Sequence, residues 1–173
     1  MEVVYLEIEK VKINAPTFLV EILEEDVKHF NLSKSGLYNL IFLKCALKFR
    51  SNYSQELQFD DKKYIQVPLN KENRKLFNVI IKEQPQLNNS EIMKEIFLSY
   101  AIMPSFMRET ILFREKLSFV INFQKEYRVL KIRTPDGIIE GRIEKIFRDK
   151  IDNYFRIKIT GKDYYFSQCE IIS

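Results

Sequence analysis

Asn31-Leu32-Ser33-Lys34-Ser35-Gly36-Leu37-Tyr38-Asn39-Leu40-Ile41-Phe42-Leu43-Lys44-Cys45-Ala46-Leu47 and Gln86-Leu87-Asn88-Asn89-Ser90-Glu91-Ile92-Met93-Lys94-Glu95-Ile96-Phe97-Leu98-Ser99-Tyr100-Ala101-Ile102 read as one helix written twice. At constant spacing, Leu32 matches Leu87, Ser35 matches Ser90, Ile41 matches Ile96, Phe42 matches Phe97, Leu43 matches Leu98 and Ala46 matches Ala101. Leu37 with Ile92 and Leu47 with Ile102 are conservative matches. A repeat of this kind is settled first, because missing it misassigns the whole fold. It implies a small unit, unable to bury its apolar face alone, given a partner within one chain.

The flanking segments repeat as well. Lys10-Val11-Lys12-Ile13-Asn14-Ala15-Pro16 alternates polar and apolar, as a half-buried strand does, and so does Lys63-Tyr64-Ile65-Gln66-Val67-Pro68-Leu69. After the first, Thr17 is placed to cap a helix to about Phe30, with Phe18, Ile22, Leu23, Val27 and Phe30 near one face. After the second, Asn70 caps a helix to about Glu83 with Leu76, Phe77, Ile80 and Ile81 apolar, and Pro85 stops it. Ser33 or Ser35, and Asn88, Asn89 or Ser90, are the caps available to the two repeated helices. Val3–Glu9 also alternates, with a slipped phase that predicts a bulge or a separate strand.

Strand, helix, turn, helix, repeated, resembles the ribbon-helix-helix family over about residues 8–103. In that family two copies interlock through short antiparallel strands. The resemblance implies an intramolecular pseudo-dimer joined by the polar stretch Lys48–Lys62.

Residues 104–123 read as one connecting helix, opened by Pro104, with Phe106, Ile111, Leu112, Leu117 and Val120 apolar. From Glu126 the period changes to two. Tyr127–Arg133, Ile138–Phe147, Tyr154–Thr160 and Tyr164–Ile172 are predicted strands, separated by Thr-Pro-Asp-Gly at 134–137, by Asp149–Asn153 and by Gly-Lys-Asp at 161–163. Asp136-Gly137 is a hairpin signal. So many short strands in so short a segment predict a small bent sheet or an SH3-like barrel. Val129-Leu130-Lys131-Ile132, the hairpin, Asn153-Tyr154-Phe155-Arg156-Ile157 and Tyr165-Phe166-Ser167-Gln168-Cys169-Glu170-Ile171 together make this module similar to a WYL domain. It departs from that family in having no Trp, and Gln168-Cys169-Glu170 stands where a basic residue is usual. The fold expected is therefore α+β. Residues 1–103 form a helical tandem ribbon-helix-helix-like unit, 104–123 a connecting helix, and 124–173 a WYL-like small antiparallel β-barrel. That combination resembles WYL regulators and the WYL accessory proteins of RNA-targeting CRISPR systems.

With 173 residues and 46% hydrophobic content the chain can bury a sizeable core. Cys45 and Cys169 lack metal or redox spacing, which argues against a disulfide framework or zinc site. The N-terminus lacks a basic leader and no apolar run reaches membrane-span length, so a cytoplasmic protein without membrane contact is expected. Net charge is +4, but residues 1–61 are net acidic and the remainder net basic. That balance permits a nucleic-acid partner without demanding one.

Two surfaces carry the functional expectation. Lys10, Lys12 and Asn14 on one strand, with Tyr64 and Gln66 on the other, would face outward from a two-stranded ribbon able to enter a major groove. Glu7 and Glu9 nearby oppose this. The starts of the repeated helices offer N–H groups to phosphate, aided by Ser35, Gly36, Asn89 and Ser90, although every capped helix has such an end. In the C-terminal module Arg128, Lys131, Arg133, Arg142, Lys145, Arg148, Arg156 and Lys158 interleave with Tyr127, Tyr154, Phe155, Tyr164 and Tyr165, which suits a surface that tracks a single strand and stacks its bases. Arg156 and Lys158 share a face by period two; Lys131 and Arg133 are read as doing so only across a bulge. The competing reading makes the aromatics barrel core and the charges its wet exterior.

Enzymatic readings are poor. His29 is the single histidine and sits near a helix C-terminus, where a cation matches the dipole. Pro135-Asp136 followed by Glu140-Gly141-Arg142 resembles a metal-dependent nuclease motif only loosely, with Arg142 where Lys is needed, and no phosphate-binding glycine loop occurs. The expectation is a non-enzymatic nucleic-acid-binding regulator or accessory protein, for DNA or single-stranded RNA or DNA, with no catalytic residue, cofactor or metal. A protein effector is a second expected partner, and an adaptor gripping that partner without nucleic acid is the alternative. Pairing of the copies removes one reason to dimerise, while a barrel edge leaves a homodimer open.

Overall fold

The computed structural model describes residues 8–48 and 61–173. Val3–Glu7, including Glu7 itself, and the join between Lys48 and Asp61 lie outside the described residues. The described part is α+β, with six α-helices and three small antiparallel sheets, and it divides into two compact units, Met1–Ile102 and Met103–Ser173.

In the first unit β1 (Lys10–Pro16) and β2 (Lys62–Pro68) pair antiparallel along their whole length, with Ile13 opposite Ile65 at the centre. Val11, Ile13, Ala15 and Val67 are buried, so a slip of one residue would expose them and bury Lys12 instead. The strands are followed by α1 (Thr17–Phe30) and α2 (Lys34–Cys45), and by α3 (Lys71–Glu83) and α4 (Asn89–Ala101). Thr17 does not cap α1: the chain enters through an extended Pro16, which fixes its own backbone and supplies no side-chain cap. Ser33 caps α2, Asn70 caps α3, and Asn88 caps α4 in a reciprocal box with Glu91.

Each second helix lies on the strand of the other copy, α4 on β1 and α2 on β2, and the two helices pack together. Ile41, Phe42, Ile96 and Phe97 are fully buried. Across the seam, Tyr38 meets Phe97 edge-on at 5.5 Å and Phe42 meets Phe77 at 5.8 Å. Burial recurs at several corresponding positions, though not at all of them: Leu19, Leu23 and Asp26 of α1 correspond to Asn73, Phe77 and Ile80 of α3, while buried Val20 and Phe30 have no buried counterpart there. Leu37, Tyr38, Ile41, Phe42 and Cys45 correspond to Ile92, Met93, Ile96, Phe97 and Tyr100. Polar contacts also join the copies, two of them as follows. The Tyr100 hydroxyl donates to buried Asp26 at 2.5 Å, and Asn39 accepts from the Asn70 N–H at 2.9 Å.

In the second unit the segment read as one connecting helix is two, α5 (Ser105–Leu112) and α6 (Arg114–Lys125). Phe113, with φ −124° and ψ 33°, leaves helical geometry and separates them. Six strands follow: β3 (Leu130–Thr134), β4 (Gly137–Gly141), β5 (Ile143–Arg148), β6 (Phe155–Ile159), β7 (Lys162–Tyr165) and β8 (Glu170–Ile171). They do not close into the expected barrel. They form two three-stranded sheets, ordered β4-β3-β8 and β5-β6-β7. The chain leaves the sheet at Arg142, and a 3-10 turn over Phe166–Gln168 interrupts the last predicted strand, so no ladder among the described residues joins the sheets. One core serves both: Leu130, Ile132, Ile143, Ile157, Ile159 and Phe166, roofed by Leu117 and Val120 of α6.

Two glycines mark the corners. A Cβ on Gly141 would lie 2.7 Å from the Thr160 methyl, so the β4–β5 corner needs its absence. Thr160 and Gly161 both have positive φ, 48° and 77°, the pattern of a two-residue hairpin turn between β6 and β7. Among the described residues no helix is long and apolar enough to cross a membrane.

Candidate nucleic-acid interface

The five ribbon residues lie on one face. Lys12 stands opposite Gln66, Asn14 opposite Tyr64, and Lys10 opposite Pro68, while Val11, Ile13 and Val67 fill the other face. Lys10, Lys12 and Gln66 are exposed, Asn14 is half-buried, and Tyr64 is 68% exposed. The Lys12 ammonium sits 4.5 Å from the Tyr64 ring centroid, a cation held over an aromatic face. Lys62, opposite Pro16 and exposed, belongs to the same row. The alternation that placed Tyr64 and Gln66 was enough to find it. Glu9, an acid opposing this surface, lies just before β1 with its side chain 74% exposed, and Arg74 of α3 lies 3.8 Å from its carboxylate. The side chains that β1 and β2 turn outward thus include no carboxylate.

The helix starts are not equivalent. Ser90 donates its hydroxyl to the Lys12 carbonyl at 2.9 Å, which ties α4 to β1 and commits that proton. The Gly36 N–H donates to Ser33 at 3.0 Å. The first turn of α2 holds Lys34 and no acid, whereas that of α4 holds Glu91.

The C-terminal cations divide between two sheets. Lys131 and Arg133 alternate with buried Leu130, Ile132 and Thr134, so they share the outer face of a regular β3. No bulge is required, because residues two apart always share a face. Arg133 donates to Glu170 at 2.6 Å. Arg128 lies 5.5 Å over Phe123, and Arg142 is exposed at the β4–β5 corner. On the other sheet Arg156 and Lys158 share a face of β6, with Lys145 and Asp163 flanking Lys158 across the ladders. Arg156 is held in place: it donates to Asp149 at 2.6 Å and lies 4.0 Å over the Tyr165 ring. The backbone N–H groups of Ile151 and Asp152, then Arg156, hold the Asp149 carboxyl below its ordinary range. The hydrogen bond from Tyr165 to Asp152, together with burial, pushes the Tyr165 phenol up. Asp136 at the hairpin tip accepts from Lys162 and from Tyr164, and those bonds lower its pKa.

The proposed stacking aromatics are mostly core. Tyr154 and Tyr164 are buried, and the Tyr154 hydroxyl lies 3.4 Å from the Arg108 guanidinium of α5. Tyr127 is the one that stands well out of the surface. Burial pushes the Cys169 thiol up to about 11, which leaves it protonated and unreactive. Among the described residues no group of three or more His, Cys, Asp or Glu is placed to hold a metal. A groove of about 410 Å³ is lined by Lys116, Phe119, Phe123, Glu170 and Ile171. Phe119 is 61% exposed there and stacks on Phe123 one helical turn on, a spacing readable in the sequence.

No family model matches the sequence, and no curated protein matches it. The fold is similar to a solved structure described as the crystal structure of a CRISPR Cas-related protein. The TM-score is 0.65 at 12% identity, and the match covers 98% of this chain and 64% of that one. The chain therefore spans less than two thirds of that protein's length, and the likeness is one of fold.

Proposed function

We propose that this chain is a non-enzymatic nucleic-acid-binding protein, a regulator or accessory component of a CRISPR or other defence system, acting in the cytoplasm. The observation that carries the reading is the ribbon face, where Lys10, Lys12, Asn14, Lys62, Tyr64 and Gln66 stand together and no carboxylate shares their row. Amides and ammonium groups on a two-stranded ribbon suit base edges in a major groove. The ribbon with exchanged helices supports a ribbon-helix-helix assignment for the first unit. Two short sheets around one core, with the Thr134–Gly137 hairpin, support a WYL-like second unit. The CRISPR-related description of the structural neighbour supports the defence context.

Gel shifts over a salt series with duplex DNA, single-stranded DNA and single-stranded RNA test this. The triple change of Lys10, Lys12 and Lys62 to Ala should weaken binding roughly 10- to 100-fold at low salt and flatten the salt slope by about 1 per lost phosphate contact. Binding that is absent, or indifferent to salt, overturns the reading. The exposed Phe119–Phe123 stack favours a second reading, an adaptor that grips a protein effector. Retention of a partner after nuclease treatment, lost on Phe119→Ala, would support it.

A further inference from the structure

We infer that the ribbon reads a duplex site without twofold symmetry, as a single chain; this rests on the groove-binding reading above. The antiparallel register puts Ile13 opposite Ile65, so the local twofold of the ribbon passes between them. Rotation about that axis exchanges Asn14 with Gln66, Lys10 with Lys62, Pro16 with Pro68, and Lys12 with Tyr64. The first three exchanges preserve chemistry: amide for amide, ammonium for ammonium, proline for proline. The fourth does not.

A lysine ammonium donates to the guanine O6 and N7 edge. A tyrosine in its place presents a ring and one hydroxyl, and cannot supply that charge. The unlike pair flanks the axis, where the Lys12 ammonium lies 4.5 Å over the Tyr64 ring, so the centre of the reading face is where the symmetry fails. The helix starts break it in the same sense. Gly36 of α2 corresponds to Glu91 of α4, so a phosphate meets no acid at one start and a carboxylate at the other. A symmetric ribbon dimer mirrors a palindrome; this ribbon has the frame of such a dimer and unlike readers at its centre. From Lys10 to Asn14 the row spans about 14 Å at about 3.4 Å per residue, matching roughly four base-pair steps.

In vitro selection with the full chain on a random duplex library tests this. The motif recovered should be non-palindromic, with one chain bound per duplex, and a palindrome built from either half should bind at least about tenfold more weakly. Tyr64→Lys, at an exposed position, makes the pairs alike and should bring that preference down to about twofold or less. A palindromic motif, or duplex binding without preference, overturns the inference and leaves duplex binding standing. An asymmetric motif unchanged by Tyr64→Lys overturns the assignment to this pair. Failure to retain any duplex overturns the reading beneath it and the inference together.

Discussion

The two copies of the strand-helix-helix unit match at the centre of the seam between them and diverge at single positions around it. Ile41 with Ile96 and Phe42 with Phe97 are identical pairs, all fully buried in the seam. Leu43 and Leu98 are identical too, yet Leu43 is 42% exposed and Leu98 only 1%. Ser90 is bonded to the strand at Lys12, and α4 begins in a capping box where α2 has a single serine cap. On the ribbon itself Lys12 is answered by Tyr64. The centre of the seam must fit both copies, so Ile41 with Ile96 and Phe42 with Phe97 are held to one pattern, while single positions around it differ, buried Asp26 against Ile80 and outward Lys12 against Tyr64.

The hardest test of that comparison is at the seam. Phe42→Ala and Phe97→Ala should each cost about 3–5 kcal/mol, and by similar amounts, because both leave a cavity in one shared interior. Denaturant midpoints of the two variants measure this. A large inequality would mean that the halves do not share one seam. The next effect separates the copies instead of equating them. Leu98→Ala removes a buried side chain and should cost about 2–5 kcal/mol, whereas Leu43→Ala, already in contact with water, should cost less than about 1 kcal/mol. Equal losses in the same denaturation assay would show that identical residues in the two copies have equivalent surroundings, against the burial observed.

The seam was legible because a repeat is a long-range statement: identical residues at constant spacing announce that two segments will meet. Strand alternation likewise places the ribbon face, and Lys62 joins it because β2 begins one residue before the alternating run Lys63–Leu69. The C-terminal unit was less legible. Period two gave strands, but whether strands close into a barrel depends on corners, and nothing local in Arg142 or Phe166–Gln168 says that the ladder stops there. Phe113 ends α5 through its backbone angles, a choice that its side chain does not advertise. Tyr154 and Tyr164, read as stacking platforms, went to the core because aromatic residues on a small sheet are worth more buried than displayed. Arg156 looked available until the Asp149–Asn153 loop folded back on it.

The smallest predicted effect concerns how the two repeated helices begin, and it isolates a difference that packing does not explain. Ser33 accepts one N–H, from Gly36 at 3.0 Å. Asn88 accepts from the Glu91 N–H at 2.8 Å, and Glu91 accepts in return from the Asn88 N–H at 3.0 Å, so two otherwise orphaned donors are satisfied at α4 against one at α2. Ser33→Ala and Asn88→Ala should each cost about 1 kcal/mol, with Asn88→Ala the larger because the reciprocal geometry goes with it. Adding Glu91→Gln separates charge from hydrogen bonding. The amide keeps an acceptor oxygen for the Asn88 N–H, so most of the cap survives, and only the favourable pairing of a carboxylate with the helix dipole is lost, about 0.3–1 kcal/mol and shrinking with salt. If Glu91→Gln instead cost as much as Asn88→Ala at every salt concentration, the carboxylate would be holding more than a helix start.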